Sequence, residues 1–203
     1  MGQQRPPSNQ GTPSLAQAWL SSSALPSGLP PLGRLLLLTG SPGVGKTTAL
    51  RRVVGALGIE PLRGFYTEEI RAGGTRQGFR LVTLDGEQCV IADVRRPGPP
   101  RVGKYGVDVA AIDAVARRAL TPDSAVALFV IDEIGKMECH SRVFVDAVRA
   151  LLAAERPLLA TVALSGGGLI EEVKNHRGAR LVRVTHENRE RLPGDMARLL
   201  QQE

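Results

Sequence analysis

Aromatic residues and cysteines are both scarce in this sequence: aromatic residues make up 3% of its 203 residues, and there are two cysteines. This small number of aromatic rings argues against a surface on which nucleic-acid bases stack. The net charge of +6 is therefore better explained by a small polyanionic ligand than by nucleic acid. Cys89 and Cys139 lack the spacing of a metal site or a disulfide framework, which favours a reducing compartment. We expect the cytoplasm, with organellar targeting by residues 1–33 as the alternative. No apolar run reaches the roughly 18 to 20 residues of a membrane span, so we expect no membrane partner.

The composition changes sharply after the first 33 residues. Residues 1–33 are rich in Pro, Ser, Gly and Gln, contain Arg5 as their only charge and show no hydrophobic period, which predicts a flexible tail. From Arg34 onward, short apolar runs alternate with helical periodicities, as in a mostly parallel sheet with helices on both faces. We therefore predict one α/β domain over residues 34–203, and we expect a monomer.

The element boundaries follow from hydrophobic period and from turn residues. Strands are predicted over residues 35–39, 65–70, 78–84, 88–94, 125–131, 158–164 and 181–184. Helices are predicted over residues 46–57, 108–121 and 169–176, and from Ser141 and about Pro193 onward. Gly-Gly and Asp-Gly turns separate the second, third and fourth strands, which predicts a small antiparallel hairpin insert. Residues 95–107 contain three prolines and three glycines and are expected to form a loop.

The segment from Gly40 to Thr47 matches the phosphate-binding pattern G-x-x-x-x-G-K-[ST] at every position, between a four-leucine strand and a helical pattern. In this context, backbone N–H groups and the positive helix end surround a phosphate. Lys46 is expected to reach the β- and γ-phosphates and to assist catalysis, and the Thr47 hydroxyl to bind Mg²⁺. The predicted nucleotide-binding residues are Gly40, Ser41, Pro42, Gly43, Val44, Gly45, Lys46, Thr47 and Thr48.

An acidic pair, Asp132-Glu133, follows the apolar run over residues 126–131. A phosphate-binding loop needs a second carboxylate that holds Mg²⁺ through its water shell, usually on a neighbouring strand. We therefore predict that Asp132 and Thr47 form the metal site. Glu133 is expected to act as general base on an attacking water. Because a kinase must exclude water, this arrangement favours hydrolysis.

Several further sequence blocks resemble the cancer-related nucleoside-triphosphatase family, whose archaeal and bacterial members share them. The resemblance covers residues 34–200 and implies a small P-loop NTPase domain with a RecA-like sheet. It also implies slow, Mg²⁺-dependent hydrolysis of ATP, GTP and other triphosphates with little discrimination between bases. The blocks are Gly64–Arg71 (GFYTEEIR), Val102–Val107 (VGKYGV), Asp132–Glu138 (DEIGKME), Glu171–Lys174 (EEVK) and the set Thr185, Asn188 and Arg189.

A catalytic cation is sought among the rare lysines, since the chain has four lysines against 22 arginines. Phosphoryl transfer benefits from a positive charge that meets the charge developing on the γ-phosphate. Lys104 is our first candidate, with Arg101 beside it, because both lie in the Pro/Gly-rich segment that could close over the site. A solvated loop charge remains the alternative for Lys104.

Several other polar residues are expected near the predicted site, and each of them has two possible roles. Thr161 ends a strand, from which its hydroxyl could sense the γ-phosphate or simply be buried. Glu68 and Glu69 should lie on opposite faces of a strand, so at most one can face the metal. Asn188 and Arg189 follow the last strand and could bind the base or ribose, whereas Asn188 could also cap a helix.

Two other functions compete with hydrolysis. In a small nucleotide or metabolite kinase, the insert over residues 64–107 would form an acceptor pocket. In a nucleotide-switched binding module, nucleotide would bind tightly without turnover. Phosphate release without an acceptor separates the hydrolase from both alternatives.

Overall fold

The structure is a computed structural model that describes residues 35–201, and side chains over residues 35–196. The predicted tail over residues 1–33 lies outside the described residues, as does Arg34. The strands are β1 (Leu35–Thr39), β2 (Leu62–Ala72), β3 (Thr75–Thr83), β4 (Gln88–Asp93), β5 (Arg101–Val102), β6 (Tyr105–Val107), β7 (Leu128–Ile134), β8 (Leu158–Val162) and β9 (Ala179–Arg183). The helices are α1 (Lys46–Leu57), α2 (Val109–Ala119), α3 (Arg142–Ala153), α4 (Leu169–Lys174) and α5 (Leu192–Gln201), with a 3₁₀ turn over Glu138–His140. None of these helices is both long and apolar enough to cross a bilayer.

All the strands within the described residues form one sheet in the order β5-β6-β4-β3-β2-β7-β8-β1-β9. The five strands from β2 to β9 in this order pair in parallel, which places their carboxyl ends at one edge. The remaining pairs, from β2 to β5, are antiparallel. The prediction of a mostly parallel core with an antiparallel insert is confirmed, and β2 belongs to both parts.

Alternation along the strands builds one core on each face of the sheet. Leu36 and Leu38 of β1 pack in a cluster with Leu50 and Val53 of α1. Leu35 and Leu37, which point the other way, belong to the cluster that contains residues of α2 and α3. Because each fully buried leucine contributes about 1.5 to 3 kcal/mol, this two-sided run fixes β1 and the loop that follows it.

The structure corrects the expected loop over residues 95–107. Within it, β5 and β6 form a short hairpin around Gly103, whose φ of 58° suits a turn, and β6 pairs with β4. Val107 is buried in the core, so a hydrophobic contact fixes this hairpin in spite of the nearby prolines. The abundance of Pro and Gly hid these short strands.

The strand that carries the acidic pair starts and ends later than predicted. β7 covers Leu128–Ile134, so Asp132 and Glu133 lie within the strand instead of following it. Their peptide bond is cis, and the register of β7 against β8 shifts between Ile131 and Ile134. The pair nonetheless lies at the carboxyl end of the parallel strands, level with the end of β1.

Gly64 allows β2 to approach β7 closely, and its replacement should be strongly destabilising. Its φ is 138°, and a Cβ at this position would lie 1.8 Å from the carbonyl oxygen of Val130. Gly64→Ala is therefore expected to lower the free energy of unfolding by at least about 3 kcal/mol in denaturant titration. Gly55→Ala in α1 is the control, because a Cβ there meets no atom within 4 Å and alanine favours the helix by about 0.5 to 1 kcal/mol. A Gly64→Ala variant as stable as the parent would contradict this packing.

Candidate active site

The loop between β1 and α1 has the geometry of a phosphate cradle. Gly43 and Gly45 have φ values of 76° and 101°, which other residues rarely adopt, and the Val44 N–H donates to the Ser41 carbonyl at 3.2 Å. Ser41, Pro42 and Gly43 form its exposed part, while Val44 is buried beneath. Because α1 begins at Lys46, directly after the loop, its positive end points to the same space.

Lys46 connects this loop to the acidic strand. Its Nζ lies 3.4 Å from the Gly40 carbonyl oxygen and 3.7 Å from Glu133 Oε1. The predicted phosphate-binding lysine and the predicted base therefore face one space between β1 and β7. A triphosphate entering this space would offer the ammonium a stronger anionic partner than Glu133.

Asp132 is buried beside the start of α1, where several hydroxyl groups surround it. The Thr161 hydroxyl donates to Asp132 Oδ1 at 2.7 Å, the Thr47 side chain also forms a hydrogen bond with this carboxylate, and the Thr67 hydroxyl donates to the Asp132 carbonyl. Burial raises the pKa of Asp132, and the hydrogen bonds from Thr161 and Thr47 oppose that rise. Thr161 thus holds the carboxylate in place.

These oxygens fit a divalent cation. Asp132 Oδ2 is buried and has no hydrogen-bond partner, and the Thr47 hydroxyl lies next to the same carboxylate. Hard cations such as Mg²⁺ prefer carboxylate and hydroxyl oxygens, together with waters and substrate phosphates. Among the side chains described, over residues 35–196, no three or more of His, Cys, Asp and Glu come together as a cluster that could hold a metal ion.

Glu133 is partly exposed toward the same space, with 34% of its side chain accessible. Burial raises the pKa of Glu133, Asp132 adds to the rise, and Lys46 opposes it. A carboxylate with a raised pKa that water can reach is suited to accept a proton. The predicted cradle, metal carboxylate and base are therefore brought together at one edge of the sheet.

Comparison with known proteins identifies the family of this chain. A family model described as NTPase matches residues 35–197. The chain belongs to this NTPase family. It is 37% identical over 166 residues to the nucleoside-triphosphatase THEP1 of Thermotoga sp. (strain RQ2), covering 81% of this chain and 94% of the relative. It is 38% identical over 187 residues to the human cancer-related nucleoside-triphosphatase, covering 84% and 98% of the two chains.

Two solved structures of the NTPase family share the fold. The crystal structure of THEP1 from Aquifex aeolicus superimposes with a TM-score of 0.71 at 34% identity, over 82% of this chain and 98% of that one. The solution structure of the human cancer-related nucleoside triphosphatase gives a TM-score of 0.68 at 38% identity, over 84% and 98% of the two chains. The resemblance inferred from the sequence blocks is thus confirmed.

The sequence interpretation of this NTPase named Glu68 but missed its partners Arg51 and Arg80, of which Arg51 lies close enough to Asp132 to affect its pKa. Arg51 lies one helical turn after Thr47, and its guanidinium stacks 3.9 Å from the ring centroid of Tyr66. Glu68 lies on the same side, 2.7 Å from Arg80 and 3.8 Å from Arg51. The four-residue spacing from Thr47 to Arg51 was the available signal, but Tyr66 and Arg80 come from the insert.

The neighbouring Glu69 points to the opposite face of β2, as alternation predicts. It pairs with Arg71 at 2.6 Å and with Arg76, on the face of the strand opposite to Glu68. Glu68 is therefore the acid of this pair that lies on the face of α1. Because Arg51 and Arg80 already pair with the Glu68 carboxylate, we do not assign Glu68 as a metal ligand.

Lys104 and Arg101 lie far from the cradle in this NTPase. Lys104 is exposed in the β5–β6 turn, with its Nζ 5.5 Å from the Tyr105 ring centroid. Arg101 donates to the Lys104 carbonyl and, at 2.9 Å, to that of Arg96. Since β6 is four strand spacings from β7, the turn is displaced by about 19 Å along the sheet. A catalytic role for Lys104 would require the hairpin to move.

Asn188 and Arg189 have different surroundings. Asn188 closes a turn with Thr185: its Oδ1 accepts from the Thr185 N–H at 2.8 Å, and its N–H donates to Thr185 Oγ1 at 3.2 Å. The Arg189 guanidinium instead donates to the Val44 carbonyl at 3.5 Å, next to Gly45. A cavity of about 250 Å³ opens beside the cradle, lined by Gly45, Thr48, Ala49, Arg52, Arg189 and Glu190.

Proposed function

We propose that this chain is a Mg²⁺-dependent phosphohydrolase that converts nucleoside triphosphates to diphosphates and phosphate, with broad tolerance of the base. The observation that carries the proposal is the meeting of Lys46, Thr47, Asp132 and Glu133 in one space. Membership of a nucleoside-triphosphatase family supports the reaction class.

The residues divide the work between binding and proton transfer. The loop amides and Lys46 bind the β- and γ-phosphates, while Thr47 and Asp132 would hold the cation. Mg²⁺, when bound, would neutralise charge on the phosphate oxygens. Glu133 orients the attacking water and accepts its proton, so that hydroxide oxygen bonds to the γ-phosphorus as the bond to the β-phosphate oxygen breaks.

Broad base tolerance is supported by the character of the cavity beside Gly45. Arg52 and Arg189 line it together with Thr48, and Arg52 forms an ion pair with Glu190. A guanidinium plane stacks on any base, because every base has a π face, and thus selects little between them. We propose that Arg189 contacts the base or ribose, with Asn188 holding the turn from which it projects.

The test is a phosphate-release assay with ATP, GTP, CTP and UTP, each with Mg²⁺ and with a chelator. We expect all four to be hydrolysed with kcat/KM values within about tenfold, the spread that modest contacts produce. Chelation should abolish release, and Mg²⁺ should restore it. Asp132→Asn keeps the size of the side chain but removes the charge. This variant should need a much higher Mg²⁺ concentration than the parent for half-maximal phosphate release.

Other outcomes would support the competing functions. Turnover that depends strictly on an added hydroxyl compound would indicate a kinase. Tight nucleotide binding without turnover above the Glu133→Gln background would indicate a switch. Strong preference for one base would contradict base tolerance while leaving the hydrolase proposal in place.

We also propose a cytoplasmic location and a monomeric state for the domain over residues 34–203. Cys89 and Cys139 are both free thiols in the structure, in keeping with a reducing compartment. The candidate site is assembled from residues of one chain, so it needs no second copy. Size-exclusion chromatography with light scattering tests the monomer directly.

A further inference from the structure

Glu138, in the 3₁₀ turn after β7, is a buried acid that the reaction described above leaves without a role. Its exposed fraction is 5%, although glutamate is rarely buried without an ionic partner. The backbone N–H groups of Gly135 and of Glu138 itself donate to its carboxyl group. No cation among the described residues forms an ion pair with it at 4 Å or less.

Gly135 brings this acid close to Glu133. A Cβ built on Gly135 would lie 2.9 Å from Glu138 Oε2, and the same point lies 3.5 and 3.6 Å from Glu133 Cγ and Cδ. The two side chains therefore rest against the same side of Gly135, where a larger residue would separate them. The geometry depends on the short turn over residues 135–137, which connects the end of β7 at Ile134 with the 3₁₀ turn.

The surroundings keep Glu138 in its neutral form. Burial raises the pKa of Glu138 to about 8, and the nearby acids Glu133 and Asp132 add to the effect. At neutral pH its carboxyl group therefore has an O–H donor as well as acceptor oxygens. Lys46, by contrast, lies 3.7 Å from Glu133 on the side of the cradle. The neighbouring acids thus have different surroundings, which is the basis for giving them different roles.

We propose that Glu138 is a positioning residue that holds Glu133 by a hydrogen bond from its carboxylic acid across Gly135. The inference rests on the proposed role of Glu133 as base. Glu138 does not touch the substrate. It restricts the rotation of the Glu133 carboxylate, so that one oxygen stays directed at the attacking water, while Lys46 remains free for the phosphates. Misplacing a base by about 1 Å can cost on the order of 10²-fold in rate, so this support matters.

The first test replaces Glu138 with residues of similar length. Glu138→Gln keeps a donor and an acceptor, so we expect kcat within about fivefold of the parent. Glu138→Met keeps the volume without a hydrogen bond, so kcat should fall by about 10- to 100-fold at unchanged KM. Thermal unfolding of both variants checks that the fold is retained. A folded Met variant with the parent kcat, or a Gln variant as slow as Met, would overturn the proposal.

A second variant keeps Glu138 and changes only its approach to Glu133. Gly135→Ala puts a methyl group 2.9 Å from Glu138 Oε2, too close for the carboxyl group to stay in place, so we expect a loss of kcat similar to that of Glu138→Met. In the Glu138→Ala background the space is vacated, and the added methyl group should cost almost nothing further. Additive losses would mean that Gly135 and Glu138 act separately, and would overturn the inference even if the Met variant did not fold.

Carbon-13 NMR of glutamate labelled at the δ-carbon separates this inference from the proposed function. In nucleotide-free protein, the Glu133 resonance should shift in Glu138→Met and return toward the parent position in Glu138→Gln. If the parent shows no triphosphate hydrolysis, the proposed function fails, and this NMR comparison still decides the pairing. If the Glu133 resonance has the same position in the parent and in both variants, the proposed pairing is overturned, whatever the activity.

Discussion

Lys46→Ala is expected to lower kcat/KM for every nucleoside triphosphate by at least about 10³-fold, or about 4 kcal/mol of transition-state stabilisation. The ammonium of Lys46 lies next to the loop carbonyl of Gly40 and next to Glu133, the proposed base. Without it, the charge developing on the γ-phosphate would meet only the loop amides and the metal. Steady-state phosphate release, together with binding of a non-hydrolysable analogue, measures both parts of the loss.

Arg142→Ala is the matched control for this loss of one positive charge. Arg142 is exposed on α3, where it pairs with Asp146 one turn away. Surface pairs of this kind contribute little, so its removal should leave kcat/KM within about twofold. If Lys46→Ala hydrolysed triphosphates as well as Arg142→Ala, the phosphate cradle would have to be placed elsewhere on the molecule.

Glu133→Gln should separate binding from chemistry. We expect nucleotide affinity within about threefold of the parent and a fall in kcat of about 10² to 10⁴, the range for removal of a general base. The amide has the same size but cannot accept the proton of the attacking water. Burial raises the pKa of Glu133, so the parent rate should begin to fall at a higher pH than the pKa of an ordinary glutamate would give. This acidic limb of the pH–rate profile should be absent in Glu133→Gln.

Glu171→Gln provides the same chemical change on the exposed surface of α4. It should hydrolyse triphosphates at the parent rate. Single-turnover measurements with bound nucleotide would show whether the Glu133→Gln defect lies in the chemical step. If Glu133→Gln hydrolysed triphosphates at the parent rate, Glu133 would have no part in the mechanism. Asp132, together with the metal that it is proposed to hold, would then be left to orient the attacking water.

The parts of the site that could be predicted are those encoded by short, continuous segments. The spacing from Gly40 to Thr47 fixes its own geometry, since the glycines, the lysine and the helix start belong to one turn. Asp132 could be found because parallel strands end at a common edge, so an acid at the end of one meets a loop at the end of another. Local pattern and topology were sufficient there.

The parts that could not be predicted depend on contacts between distant segments. The β5–β6 hairpin exists because Val107 joins a core that α2 also builds, and composition alone indicated a loop. Its place four strands from β7 separates Lys104 from the cradle. Stacking of Arg51 on Tyr66 likewise requires the insert to lie beside α1. Such distances follow from strand order, which the spacing of residues does not encode.

β2 is a single strand shared by the parallel half and the antiparallel half of the sheet, which couples the unfolding of the two halves. It pairs with β7 over Leu62–Phe65 and with β3 over Phe65–Ala72, and the hydroxyl of Thr67 donates to the Asp132 carbonyl. Opening the insert would thus expose the backbone of Asp132, the proposed metal ligand. The two halves should accordingly lose their structure in one cooperative step, with amide hydrogens of both exchanging through the same global opening.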